Sequence, residues 1–373
     1  MWFLASHHGP RCDGRNHIHG LWTAQRLSTE RASGLAWGSP RLTLLRVVRH
    51  LPLPPEQLGA FTTAQAEAAG WTQAGLRHAV RHGRLDRLWP GAYAAPVPST
   101  PAGRDRRTAQ LAVAASLTNS GTLVSHLGAA AVYGWGWWAE APRACVTTPV
   151  GALSAVPLGH VHRVEVADRD RWQAGGLLLT SPARTVVDVA REFGVESAVT
   201  IGDAALRAGA LSREDLARAL HDARGRPRVG AARAAATGLD GRSESVLESR
   251  SRHRMAVAGL PPPRTQVDVF GVDRRWVARV DFYWEDYGVV GEADGELKYA
   301  GGRSLIREKW REDALRGLGL GFVRWGWTDL EPFAPTARRL RGAFDRGAPA
   351  TARSRWRAEP TDVVPGVTGR VVL

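Results

Sequence analysis

Lysine is almost missing from this sequence: of 50 basic residues counted as Lys plus Arg, only Lys298 and Lys309 are lysines. Arginine stays charged at any physiological pH, so a role that needs a compact ammonium with an adjustable pKa has two candidates. Cysteine is as scarce. Cys12 and Cys145 lie far apart with no metal-like spacing, so neither a disulfide framework nor a zinc site is suggested. No uninterrupted apolar run approaches the ~18 residues that would span a bilayer. The opening MWFLASHHG lacks the basic start of a secretory signal, so a cytoplasmic protein with no membrane segment is expected.

What is present points to a polyanion. The chain has 373 residues, room for two or three domains, and a formal charge of +14 with pI near 11. Such a surplus favours phosphate-bearing partners, because each neutralised phosphate releases condensed counterions. Part of it sits in residues 1–55, where seven arginines face only Asp13 and Glu30. That segment has no sustained periodicity, and His7, His8, Cys12, His17 and His19 match no zinc spacing. It reads as an unstructured extension or as sequence upstream of the true start.

Organisation begins near residue 56. Thr62 with Gln65 three residues on forms a capping-box pattern, and Gly70 stands where a short helix would stop. Thr72 then opens a second helix that offers Leu76 and Val80 for burial and ends at Gly83. LDRLWPGAYAAP follows as a hairpin with Pro90-Gly91 in its turn. Helix, turn, basic helix and hairpin over 56–100 describe a winged helix-turn-helix. Its second helix would carry Arg77, His78 and Arg81 to DNA, with Arg84 and Arg87 near the wing. The alternative is a solvated amphipathic helix in a small interaction domain.

Residues 104–240 hold a small-residue helix and Trp-rich turn in LVSHLGAAAVYGWGWWAE, strands in RACVTTP and HVHRVEVA, and a helix in TSPARTVVDVAREFG. There Ser181 caps, Pro182 takes the first helical position and Gly194 follows the end. Ser212 with Asp215 opens another helix. His126, Arg184, Asp188 and Asp203 form either a site or satisfied polar contacts between helices, and no nucleophile with its base is evident. Together with the winged-helix stretch, LVSHLGAAAVYGW, TSPARTVVDVAR and DAALRAGALSREDL resemble the AbiEi-type antitoxins of type IV toxin–antitoxin systems, over roughly residues 56–225. The resemblance implies DNA binding by the N-terminal domain, autoregulation of an operon, and neutralisation of a partner nucleotidyltransferase toxin. It supplies no catalytic residues, and this chain continues well beyond the short antitoxins.

The continuation, residues 241–345, opens with a helix that ends at Gly259 and then strands TQVDVFGV, RWVARVDFYW and VVGEAD. Pairing Trp284 with Val289 across the EDYG turn sets Asp281 opposite Glu292, with Asp294 two residues along on the same face. Directly opposed side chains have Cβ atoms ~5 Å apart, so two carboxylates there repel unless a cation intervenes. Asp281, Glu292 and the Ala293 carbonyl would hold Mg²⁺ or Mn²⁺ to activate water on a phosphodiester, and Lys298 would supply a nearby ammonium. A salt bridge to Arg279 is the alternative.

Asp281, then Glu292-Ala-Asp294-Gly, then Lys298-Tyr and EKWREDALRGLGLGFVRWGW resemble the PD-(D/E)XK nuclease fold in its very-short-patch-repair-like branch. The resemblance implies metal-ligand roles for Asp281 and Glu292 and an acidic contribution from Glu248 on the first helix. Asp294 stands where that fold has its motif lysine, and Lys298 would substitute from four residues on. Ile306, Trp310 and Ala314 share one face of the next helix, which leads into a strand where Trp325 and Trp327 read as core. Lys309, Arg311 and Arg324 are candidate phosphate contacts. The tail, 346–373, lacks apolar periodicity and reads as disordered.

The expectation is therefore an α/β multidomain protein: winged helix-turn-helix, AbiEi-like α+β middle domain, and restriction-endonuclease-like α/β domain. Metal-dependent cleavage of nucleic acid is the favoured activity, with Asp281, Glu292, Asp294, Lys298 and Glu248 as catalytic candidates. A non-catalytic antitoxin or repressor with a degenerate nuclease domain is the rival, and a protein-interaction scaffold is the third reading. Helix-turn-helix proteins often pair, so a homodimer is a further expectation.

Overall fold

A computed structural model describes residues 57–138, 143–149, 156, 159–174, 176–271, 273–295, 302–347 and 356–360. The expected features of residues 1–55, and Lys298, lie outside them. The architecture is mixed α/β, with three sheets among the described residues.

The first sheet is the smallest. Strand β1 (Ala60–Thr62) leads into α1 (Thr63–Ala68) and α2 (Gln73–Arg81), and β2 (Asp86–Trp89) and β3 (Ala92–Ala94) complete the order β1-β3-β2. Both helix starts are capped as the sequence suggests: Thr62 and Gln65 exchange side-chain and backbone bonds, and Thr72 accepts from the Gly75 amide. Gly70, Gly83 and Gly91 all have positive φ at turns, a conformation only glycine adopts without strain. Phe61, Ala66, Leu76, Ala79 and Leu85 fill a core too small to stand alone. It leans on α3 (Pro101–Thr118), from which Arg106 and Gln110 both donate to the Leu58 carbonyl and Arg107 pairs with Asp86.

The second sheet comprises β4 (Leu123–Val124), β5 (Ala144–Thr148), β6 (Gly159–Arg163), β7 (Arg171–Ala174) and β8 (Leu177–Thr180), in the order β6-β5-β4-β8-β7. Helix α4 (His126–Val132) follows β4 directly, and α5 (Pro182–Phe193), α6 (Val195–Arg207), α7 (Arg213–Asp222) and α8 (Val229–Thr237) pack behind. Ser181 caps α5 with Pro182 in the first turn, and Gly194 at φ 90° breaks the chain into α6.

The third sheet follows α9 (Val246–Val257). It contains β9 (Arg264–Gly271), β10 (Trp276–Trp284), β11 (Val289–Ala293) and, after α10 (Gly302–Gly317), β12 (Gly321–Trp325). Helix α11 (Ala334–Arg346) precedes β13 (Trp356–Pro360), and the order is β12-β11-β10-β9-β13. Trp284 pairs with Val289, the expected hairpin register.

Two expectations, on the tail and on Trp327, need correction. The sequence pattern of the tail, 346–373, implies disorder, yet residues 356–360 form β13 against β9. Five residues show no periodicity of their own, and their conformation comes from a strand edge far away in sequence. On α10, Trp310 is 69% exposed and Ala314 is exposed too, while Leu315 is buried. Trp327 leaves the strand in a 3₁₀ turn and stacks on Trp138, while Trp325 alone is core.

Helix α9 is tied to the preceding helices by arginines. Arg250 is 1% exposed, pairs with Glu196 of α6 (2.8 Å) and with Glu331 (2.5 Å), and its guanidinium lies 3.5 Å from the Trp138 ring centroid. Arg254 reaches the same two carboxylates from a more exposed position. Arg250→Met should cost about 3 kcal/mol, the low end for breaking a buried pair because Arg254 remains. Arg254→Met should cost about 1 kcal/mol or less. Urea unfolding of the two variants checks this, and equal losses would contradict the special position of Arg250.

Candidate functional site

The basic surface and the acidic row are separate features. On the first, α2 turns Leu76 and Ala79 inward and leaves Arg77, His78 and Arg81 exposed, with Arg84 and Arg87 exposed beyond the helix. The His78 and His82 rings lie 4.0 Å apart, and the His82 Nδ1 contacts the His78 carbonyl at 2.8 Å. His82, partial desolvation and the charges of Arg84 and Arg81 together hold the His78 imidazole below its ordinary pKa. The cationic work on this face therefore falls to the arginines.

In the third sheet a row of polar side chains crosses four strands. Glu292 of β11 pairs with Arg324 of β12, the β10–β11 register continued one residue past Phe282–Gly291 sets Asp281 opposite Glu292, and the pairs Val280–Val267 and Phe282–Thr265 leave Gln266 of β9 beside Asp281. Glu248 approaches from α9 and Arg311 from α10. Gln266 Nε2 bridges the two halves of the row, donating to Glu248 Oε2 (2.8 Å) and Asp281 Oδ1 (3.3 Å). Asp281 Oδ2 accepts the Ala293 amide at 2.9 Å. Gln266 has φ 52°, a left-handed conformation unusual in a strand, and nothing in its flanking alternation of apolar residues signals this role.

Electrostatics separate the carboxylates. Burial, the charge of Glu248 and that of Glu292 push the Asp281 carboxyl up to about 7, against the pull of the Ala293 amide. Glu292 is 4% exposed, and its Oε2 takes Arg311 at 2.7 Å and Arg324 at 3.1 Å. The expected alternative partner, Arg279, pairs with Glu244 instead. Glu248 is held at the start of α9: its carboxylate accepts Ser245 Oγ and the Glu244 amide, and its own amide donates to the Ser245 Oγ that caps the helix. Asp294 lies past the end of β11, its amide on the Trp325 carbonyl. Lys309 is exposed.

A hard divalent cation needs several oxygen ligands with uncommitted charge. Asp281 meets that requirement. Glu292 does not, since two guanidiniums neutralise it, and Glu248 is held by its cap. Among the described residues no three oxygens from Glu248, Asp281 and Glu292 lie within 4.8 Å of one another. The residues as arranged do not fit the bound metal that the sequence pattern suggests.

In the second sheet, His126, Arg184 and Asp188 line one cleft of 470 Å³, whereas Asp203 lies apart, bonded to Arg252 and to the Asp240 amide. No described helix is long and apolar enough to cross a membrane.

Comparison with known proteins supports the N-terminal part of the sequence reading. Residues 55–96 match the family model described as "Transcriptional regulator, AbiEi antitoxin". Two proteins of Mycobacterium tuberculosis, from strains CDC 1551 and H37Rv, are each 34% identical over 246 residues, 65% of this chain and 86% of theirs. The chain belongs to the family of these mycobacterial proteins. Both are described only as uncharacterized. No solved structure matches. The antitoxin match covers the helices and hairpin that carry Arg77 to Arg87, and the mycobacterial relatives extend the kinship well past it.

The raised Asp281 pKa has a signed consequence. Between the ordinary carboxylate pKa and about 7 the folded protein binds more protons at Asp281 than the unfolded chain does, so stability falls as pH rises through that window. Asp281→Asn removes the penalty. It should melt above wild type at pH ~8, with the gap closing toward pH ~4. Thermal unfolding across that range in a chelating buffer measures it, and a gap independent of pH would refute the carboxylate crowding.

Proposed function

We propose that this chain is a DNA-binding regulator of the AbiEi antitoxin type. Residues 57–94 act as a winged helix-turn-helix, with α2 in the major groove and the β2–β3 hairpin as the wing. The observation that carries the reading is the exposed pair Arg77 and Arg81 on a helix whose other face is locked by Leu76 and Ala79, with Arg84 and Arg87 exposed just beyond it. The family match over 55–96 and the net charge of +14 support it. A cognate nucleotidyltransferase toxin is the proposed protein partner, and a homodimer on a two-fold operator the proposed assembly. The middle and third domains, AbiEi-like and restriction-endonuclease-like, then act as binding modules. Arg311 and Arg324 take the neutralising role that a metal would have at Glu292.

A second reading is kept by one observation, the charge crowding at Asp281. Under it, Arg311 and Arg324 would have to leave Glu292 before Asp281, Glu292 and the Ala293 carbonyl could hold Mg²⁺ or Mn²⁺, with Glu248 and Asp294 as further acidic candidates and Lys298, outside the described residues, as the expected ammonium. The cation would supply activated water and charge neutralisation at a phosphodiester.

Two experiments on the full chain separate these. Duplex DNA should bind with affinity that falls steeply with salt, and Arg77→Ala or Arg81→Ala should weaken it and flatten the salt slope by ~0.9 each if each contacts one phosphate. Absence of binding at about 50 mM salt would end the DNA reading. Supercoiled, linear and single-stranded DNA with Mg²⁺ or Mn²⁺ should remain uncut. Metal-dependent cleavage lost in both Asp281→Ala and Glu292→Ala would put the nuclease in its place.

A further inference from the structure

The 470 Å³ cleft of the second sheet is unlike the rest of the surface. Its walls bring Arg163 from β6, Arg184 and Arg191 from α5, and Arg226 and Arg228 from the segment before α8. Only Asp188 and Glu192 oppose these five guanidiniums on the lining. Asp188 is spent on Arg184 (2.6 Å) and Arg191 (3.3 Å), and Glu192 pairs outward with Arg143. Arg226 is half-buried, and among the described residues its guanidinium meets no carboxylate or carbonyl within bonding distance. Burial and the charge of Arg184 beside it disfavour its charged form. A guanidinium held in that way, with like charges around it, is costly until an anion arrives.

One wall is made of imidazole edges. His126, His162 and His160 stack in a column, rings 4.1 Å and 4.4 Å apart at 17° and 9°. His126 and His162 line the cleft itself. Burial lowers the pKa of both, that of His126 to about 3, so both imidazoles are neutral at pH 7. His162 Nε2 is buried with no hydrogen-bond partner among the described residues. A planar ring bearing donors and acceptors suits such a surface, and the volume is that of an organic ligand rather than a bare ion.

We propose that this cleft binds a nucleoside di- or triphosphate, its phosphates on Arg226, Arg163 and Arg228 and its base toward the imidazole column. The surplus of three positive charges on the lining complements two or three linked phosphates, and the planar guanidiniums suit bidentate contact. Nothing in this depends on the DNA reading, since the site lies on other elements and takes a small ligand.

Titration calorimetry of the full chain with ADP, ATP, GTP, tripolyphosphate and orthophosphate tests it. At least one of the nucleotides should bind with a stoichiometry near one and more tightly than tripolyphosphate. Arg226→Ala should weaken that binding roughly tenfold or more, the loss of a charge-assisted contact. Among the described residues its side chain has no hydrogen bond or ion pair to lose, so the circular dichroism and melting of the variant should match wild type. Arg163→Ala gives a second reading from another element. The absence of saturable heat with every nucleotide overturns the proposal. So does nucleotide affinity unchanged in both variants, or tripolyphosphate binding as tightly as the nucleotides.

Discussion

The buried guanidinium of Arg250 is the contact on which the arrangement of the last two sheets depends. It lies between Glu196 of α6 and Glu331, under the Trp138 ring. Burying a cation is expensive unless its charge and all its donors are answered. Two carboxylates and an aromatic face answer it, and each comes from a different stretch of chain. Removing water from that contact makes the geometry stringent, because a shift of either side would strand the charge. Arg252 reinforces the seam by bonding Asp203, and Arg207 of α6 by donating to the Ser243 carbonyl. Helix α9 is thereby fixed at both faces, with its Glu248 against the polar row of the third sheet and its arginines against α6.

That row shows how opposed carboxylates can be answered by side chains and backbone of the same chain. Asp281 and Glu292 oppose each other across a hairpin, the arrangement that invites a cation. Here the answer is distributed. Two guanidiniums meet Glu292, an amide and a glutamine meet Asp281, and the residual strain appears as a carboxyl that holds its proton to near neutrality. In a chain with so few lysines, arginine is the cation at hand, and its fixed charge makes the neutralisation permanent.

Much of this was legible in local sequence. The Thr62 and Thr72 caps, the Ser181-Pro182 helix start and the Trp284–Val289 register all rest on neighbours a few residues apart, where propensity and turn geometry decide. What escaped depends on partners distant in the chain. Gln266 gives no sign in sequence that it bridges two carboxylates. Arg311 and Arg324 were visible as basic residues, but their shared target Glu292 emerges only when α10 and β12 pack. The histidine column needs β6 laid beside α4, so His160 and His162 read as ordinary strand residues.

Strand β13 bears on how the molecule behaves in a crowd. Without it, β9 would present a row of unpaired amides and carbonyls along the side of a five-strand sheet, a template on which another chain can continue the ladder. Residues 356–360 occupy that margin from within the same chain. The new margin ends at Pro360, whose nitrogen has no hydrogen to offer a further strand. A short stretch with no hydrophobic pattern of its own thus serves as a selvedge, keeping the sheet from unravelling into association with its neighbours.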